Sequence, residues 1–279
     1  MLSILIPVYN QDCTLLLGTL NEQASRLGVE FEIILAEDGS SKVKDYSPLH
    51  IPQLTHIIRK ENVGRSAIRN FLFSRAHYPL LLMMDCDVCI QKSDFLKNYL
   101  HAADTHEVVC GGLVYPSVRP ARQFRMRYDY EKSYEKRMTP ERLNSISCPP
   151  FRSSCFLLWK EVAEKVHFDE RFRQYGYEDV KFGKDLCEAG YKTFHINNPV
   201  VNNDIETNRV YLRKIEESMR VLYEFRDELR SDSRLLRTAE KIRKLHLDWA
   251  VKKLRIRQKY YATYIQVYRL KYLLSLMNH

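Results

Sequence analysis

The stretch LLLMMDCDVCI, residues 80–90, decides how the rest of the chain is read. Five apolar residues run without a break into two aspartates one residue apart. A run that apolar belongs in a core, whereas Asp is among the residues least often buried without a partner. A strand of an open α/β sheet reconciles the two, because ligands bind beyond the carboxyl ends of such strands and polar residues collect there. If the chain stays extended past Met84, the i, i+2 spacing turns Asp85 and Asp87 to the same side. Two such carboxylates are hard oxygen ligands suited to magnesium or manganese, and an ion they hold finds its remaining ligands on substrate phosphates. The plainer reading is a solvated pair of aspartates in a turn.

Upstream, the pattern is alternating α/β. SILIPV (residues 3–8), FEIILA (31–36) and LTHII (54–58) are short apolar runs rich in β-branched residues and read as strands. A helix is expected from about Asp12, a candidate N-cap, to Gly28. GRSAIRNFLFSRA carries Ala67, Ile68, Phe71 and Leu72 at helical spacing. Such alternation implies a mostly parallel sheet flanked by helices. The clusters YNQD, EDGSS and DCDV each follow a strand directly, so all three should meet on one rim. Residues 118–148 lose the pattern and read as a mobile loop or an irregular helical excursion. SSCFLLW (153–159) resumes as a strand, and YEDVKFGKDLCEAG opens a helix near Glu178 that Gly190 stops.

After Asn208 the chain changes character. Leu212, Ile215, Met219, Leu222, Phe225 and Leu229 mark an amphipathic helix, and helix-compatible sequence continues to the end. Of the net charge of +9, residues 209–279 hold 18 Lys and Arg against 8 Asp and Glu, a net of +10. The remainder holds 26 against 27, a net of −1. The expected division is therefore an α/β domain over residues 1–208 and a basic helical region over 209–279. The start, MLSILIPVYNQ, lacks a basic n-region and a cleavage site, and no apolar run approaches the length of a membrane span. The seven cysteines are odd in number and sit in apolar settings, so free thiols of a reducing, cytoplasmic compartment are expected. Cys86 and Cys89 read as packing thiols, since a zinc site would want a second close pair.

The ordered motifs from Ser3 to Asn208 resemble the inverting glycosyltransferases of family 2, which have the GT-A fold. SILIPVYN is similar to the family's opening strand and EIILAEDGS to its second. ENVGRSAIRN matches its N-x-G-x-x-x-x-R-N segment, LLLMMDCDV its D-x-D strand, and FDERFRQYGYEDVKFGKDLCEAGYK its acceptor-side E-D helix. The resemblance implies a UDP-sugar donor and a divalent metal, manganese or magnesium. It implies nucleotide contacts from Pro7, Tyr9, Asp38, Arg65 and Asp85, with Asp38 on the base and Arg65 near base or phosphate. It makes Asp87, with Asp85, the metal-binding pair. Asp179 is implied as the catalytic base that deprotonates a carbohydrate or lipid-linked acceptor, in glycan or polysaccharide synthesis, and Glu178 as a binder of acceptor hydroxyls. A helix N-terminus should favour the ionised form of Asp179; read without the family, both acids are simply a helix cap.

Two departures stand out. Where many relatives place a metal-binding histidine, HINNPVVNND puts Asn202, so Asn202, Asn203 or Asp204 supplies an oxygen or the metal rests on Asp87 and phosphates alone. Glu37 stands where relatives usually have Asp. Two rivals are weighed: a metal-dependent nucleotidyltransferase, disfavoured because PVYNQD is no glycine-rich basic loop, and a basic binding module with a vestigial site. The basic tail is expected either to pack back, on the catalytic domain or on a second copy in a homodimer, or to lie peripherally on an anionic membrane. Nucleic acid is not expected, since no recognised motif accompanies the charge.

Overall fold

The computed structural model of the chain describes residues 1–257 and 260–278. In chain order, β1 (Leu2–Val8), α1 (Thr14–Leu27), β2 (Phe31–Asp38), β3 (Leu54–Arg59), α2 (Arg65–Arg75) and β4 (Leu80–Met84) follow the expected alternation. Then come β5 (Val88–Cys89), α3 (Phe95–Ala103), β6 (Val108–Cys110), β7 (Leu113–Val114), α4 (Arg125–Glu135), α5 (Pro140–Asn144), β8 (Cys155–Trp159), α6 (Lys160–Lys165), α7 (Glu178–Glu188), β9 (Thr193–His195) and β10 (Val200–Asn202). The chain closes with α8 (Asn208–Glu224), α9 (Arg226–Leu229), α10 (Arg234–Lys244), α11 (Asp248–Lys253) and α12 (Tyr261–Leu276).

Two compact units result. The first comprises Met1–Pro116, Arg137–Arg173 and Glu178–Asp204; the second comprises Ser117–Lys136, Gln174–Tyr177 and Ile205–His279. The segment read from sequence as a loop or irregular helix thus supplies α4 to the helical unit.

In the first unit, seven strands lie in the order β3-β2-β1-β4-β8-β6-β9. The pairs β3–β2, β2–β1 and β1–β4 are parallel, while β8 runs antiparallel to both β4 and β6. A smaller sheet, β5-β10-β7, lies beside the ends of these strands in sequence. The central strands are buried on both faces, as helix-covered parallel sheets require. Alternate residues of β1 divide between two cores: Leu2, Ile4, Ile6 and Val8 join α1 and α3 side chains, while Leu5 faces Ile68, Leu72 and Phe182. Each fully buried Leu or Ile contributes roughly 1.5–3 kcal/mol. Helix α1 stops at Gly28, whose φ of 62° is the left-handed value that glycine adopts without strain. The N-cap is Cys13, so Asp12, the expected cap, lies one residue before it, where its carboxylate accepts the Thr14 amide at 2.9 Å.

The helical unit is built on α12, which packs on α4 and α8 within that unit. Ile265, Leu273 and Leu274 are fully buried there, with Tyr211, Ile215, Met219 and Leu222 from α8. Arg269 donates to the Tyr130 hydroxyl at 2.7 Å and to that of Tyr177 at 3.1 Å. Of α12's own tyrosines, Tyr261 is buried and Tyr268 donates its hydroxyl to Glu216 of α8. Among the described residues no helix is long and apolar enough to cross a membrane.

The expectation of seven free thiols is corrected at two positions. Cys148 and Cys187 form a disulfide, with Cα atoms 5.8 Å apart, tying the segment before β8 to α7. They lie 39 residues apart, and no spacing in the sequence signals a pairing made by the fold. Cysteine usage consequently gives no support for a reducing compartment.

Candidate active site

Because β1, β2 and β4 run parallel, their carboxyl ends share one edge. Asn10, just past β1, accepts the Ser41 amide at 2.8 Å and donates its own amide to the Ser40 hydroxyl at 2.8 Å. The expected rim is thus knit together by hydrogen bonds between successive loops. Pro7 lies in β1 opposite Ala36, and Tyr9, beyond the strand, is exposed. Gly39 turns here with φ of 72°; a Cβ would sit 2.4 Å from the Asn62 nitrogen, so only glycine permits the approach.

Asp38, at the end of β2, is buried and already engaged. Its two oxygens accept the backbone amides of Val63 and Gly64 at 2.9 and 3.2 Å. Burial raises its carboxyl above the ordinary carboxylate value, against the pull of those amides. Any contact with a base would use its remaining lone pairs. The neighbouring Glu37 is buried too, accepting the Ser40 hydroxyl and facing His56 at 3.4 Å.

At the opening stretch, one expectation is corrected. The chain does not stay extended past Met84: residues 86–87 turn, and the chain re-enters sheet structure at β5. A turn was the alternative, but this one is tied down at both ends. The Asp85 amide bonds the Ser154 carbonyl at 2.9 Å, and β5 pairs with β10. The thiol of Cys86, between the aspartates, is held well above its usual value, first by a hydrogen bond with Cys13 and then by burial. That fits a packing thiol rather than a reactive one.

The residue that organises the site is Arg69, the arginine of the R-N pair in ENVGRSAIRN, which sequence alone does not single out. Its guanidinium, on α2, is only 2% exposed and donates to Asp85 at 2.7 Å. It also lies 3.9 Å from Glu178 at the start of α7 and 5.4 Å over the Phe168 ring. Arg65 approaches the same Glu178 oxygen at 3.6 Å. Arg65 and Arg69 are four apart, hence on one helix face, and that spacing was the available signal. The adjacent Asn70 clamps the Phe168 backbone from both sides, donating to its carbonyl at 2.8 Å and accepting its amide at 2.9 Å. The R-N of the motif thereby fixes the strand-end aspartate and the approach to α7 from a single helical turn.

Asp179 is half-buried and receives the Val180 amide at 2.8 Å. Its carboxyl is pushed up to about 7, chiefly by burial and then by the charge of Glu178, against the pull of Arg152 and Arg69. The expectation that a helix N-terminus would keep it readily ionised is therefore reversed. Desolvation beside a second carboxylate outweighs a terminus effect of about 1 kcal/mol or less.

Residues present fit a divalent cation through oxygen donors. Among the described residues, no group of three or more His, Cys, Asp or Glu side chains could hold a metal by itself. A neutral oxygen is available instead. Asn202, 3% exposed on β10, has a buried Oδ1 with no hydrogen-bond partner, and its register partner is Val88, the residue after Asp87. An unsatisfied carbonyl of this kind costs about 1–3 kcal/mol unless something binds it. Asn203 is used differently, donating to the Cys89 sulfur at 3.1 Å. His195 is a buried core residue whose value falls to about 4 through burial, and its neutral ring suits packing.

The mixed, mostly parallel sheet flanked by helices, with acidic residues at the ends of its strands, has the architecture of the GT-A type. A comparison with protein families matches residues 3–166 to "Glycosyl transferase family 2". The match spans more than half of the sequence, and the chain belongs to that family. A comparison with curated protein sequences returns no match. Among solved structures, the mannosyltransferase PcManGT of Pyrobaculum calidifontis, in complex with GDP-Man and Mn2+, is similar with a TM-score of 0.57 and 14% identity, covering 99% of this chain and 86% of that one. Glucosyl-3-phosphoglycerate synthase of Mycobacterium tuberculosis, in complex with Mn2+, UDP and phosphoglyceric acid, is similar with a TM-score of 0.53 and 14% identity, covering 80% and 77%. At such identities the likeness is one of fold.

Proposed function

We propose that this glycosyltransferase is metal-dependent and inverting, moving a hexose from a UDP-sugar to a carbohydrate or lipid-linked acceptor in glycan or polysaccharide synthesis. The proposed catalytic domain is residues 1–208. The observation that carries the reading is Arg69, one buried guanidinium joining the strand-end Asp85 to the Glu178–Asp179 pair. It couples a candidate donor site to a candidate acceptor site through one fixed charge.

In this reading the base lies by Asp38, with Pro7, Tyr9 and Arg65 lining the nucleotide. Asp85 meets the ribose, and Asp87, with Asp85 and the Asn202 carbonyl, would hold Mn2+ or Mg2+, the rest of its shell coming from the diphosphate. Such an ion, when bound, supplies positive charge for the departing nucleoside diphosphate. Glu178, between two arginines, binds acceptor hydroxyls and stays anchored. Asp179 takes the proton of the attacking hydroxyl as its oxygen bonds the anomeric carbon and the bond to the diphosphate breaks. A carboxyl poised at about 7 suits that task, because a general base works best when its own value lies near the operating pH. Solved fold relatives holding GDP-Man or UDP with Mn2+ support a nucleotide-sugar donor and a divalent metal.

The test separates donor from acceptor chemistry. Asp179→Asn should lower transfer by roughly 10²–10⁴ yet leave nucleotide affinity nearly unchanged. If Glu178→Gln is the inactive variant while Asp179→Asn works, the roles of the two acids are reversed. Product anomers resolved by NMR decide inversion against retention.

A further inference from the structure

We propose that residues 243–255, from the end of α10 to just past α11, form a membrane-contact surface whose partner is a bilayer of anionic lipid. This inference is independent of the sugar-transfer chemistry. Helix α10 buries Leu236 and Ala239, and α11 buries Val251, so both are anchored in the helical unit. The turn between them, residues 245–247, is exposed. Leu245, Leu247, Trp249 and Leu254 are 65, 43, 57 and 48% exposed. Scattered exposed apolar residues are ordinary, but four large ones within ten positions are a local concentration.

The charged residues of this segment are nearly all basic, with Lys252 lying 3.6 Å from Asp248. Residues 241–257 hold seven Lys and Arg against the single acid Asp248. Arg243, Lys244, Lys252, Lys253, Arg255 and Arg257 are all exposed. Lys253 lies 5.2 Å over the Trp249 ring. The surface is also held in place: Lys271 of α12 donates to the carbonyls of Lys252 and Leu254 at 3.0 and 2.5 Å, satisfying acceptors that a helix end leaves open.

Each half of this chemistry selects the partner. Lysines and arginines alone would suit any polyanion. Leucines on a phosphate backbone have nothing to bury against, whereas at a bilayer they enter the acyl boundary while the basic residues stay among headgroups. Tryptophan, apolar with one polar edge, settles at that same depth. The Tyr- and Leu-rich α12, the last helix of the basic tail, buries Tyr261, Ile265, Leu273 and Leu274. The contact therefore belongs to the preceding turn.

The full chain is tested by co-sedimentation with vesicles of phosphatidylcholine alone and of phosphatidylcholine with phosphatidylserine, at low and high salt. Binding should need phosphatidylserine and weaken with salt. L247S/W249S should lower partitioning by about tenfold or more, and K252E/K253E should do the same while flattening the salt dependence. Circular dichroism and nucleotide binding of both variants should match the wild type, separating a lost contact from a lost fold. As a second readout, W159F leaves Trp249 as the one tryptophan, and its emission should shift blue with anionic vesicles. Equal sedimentation with both vesicle types, none with either, or wild-type binding by L247S/W249S overturns the proposal. So does a dimer in sedimentation velocity that L247S/W249S dissolves, or retention by RNA in place of vesicles.

Discussion

The rim of the sheet and the turn between α10 and α11 both gather charge, in opposite ways. At the rim, charges of both signs interlock around a guanidinium that is 2% exposed, with Asp85 on one side and Glu178 on the other. At the turn, six exposed Lys and Arg side chains stand among exposed leucines and a tryptophan. Buried opposite charges fix geometry and shift proton affinities, which is what chemistry at defined atoms requires. Exposed like charges fix no geometry; they create a field, which recruits an extended partner. Substitutions in the two places should therefore fail differently.

The largest effect should come from the proposed general base. Asp179→Asn is expected to lower kcat by roughly 10²–10⁴, as removal of a general base does. The same assay run on L247S/W249S with a soluble acceptor should be unchanged; a matching loss there would erase the distinction between the regions. Asp87→Asn should reduce transfer by about a hundredfold or more, the scale for losing a key electrostatic group. Activity that survives exhaustive chelation in the wild type would break that expectation.

Arg69→Met tests the rim as structure. Removing one partner of a buried ion pair leaves the other without compensation, at about 3–5 kcal/mol. Denaturant unfolding should show the loss, whereas charge substitutions at Lys252 and Lys253 should leave the midpoint almost unmoved. A near-neutral Arg69→Met would mean that Asp85 and Glu178 do not depend on it.

The pH dependence sharpens the comparison further. With Asp179 pushed up to about 7, kcat/KM should climb about tenfold per pH unit below that value and level off above it. Stability should show the opposite trend. Unfolded, the carboxyl loses its proton near pH 4, so between about 4 and 7 the folded chain binds more protons and stability falls as pH rises. Asp179→Asn should remove that decline; if thermal melts of wild type and variant keep the same pH profile, the group is not perturbed as described.

Much of the fold was legible because strand and helix periods differ and the strands end in polar clusters. Residues 80–84 were read as β4 with both boundaries right, since nothing but a buried strand suits five apolar residues before an acid. What could not be read were the partnerships. Arg69 looks like any helical arginine until Asp85 and Glu178 are brought to it from 16 and 109 positions away, and Cys148 with Cys187 gives no spacing cue. The value of Asp179 was misjudged because helix position is local and visible, whereas burial is not. In the basic tail, hydrophobic period identified α8, but α12 and the turn before it are similarly rich in apolar and basic residues. Only their exposure tells them apart.

The central claim is that the rim binds a nucleotide diphosphate through a metal held at Asp87. The most direct measurement is thermal unfolding of the full chain with UDP, in the presence and absence of Mn2+, for the wild type and Asp87→Asn. UDP should raise the wild-type midpoint only when Mn2+ is present, and Asp87→Asn should lose that increment while melting normally without ligand. A UDP shift that needs no Mn2+, or one that Asp87→Asn retains in full, would contradict it.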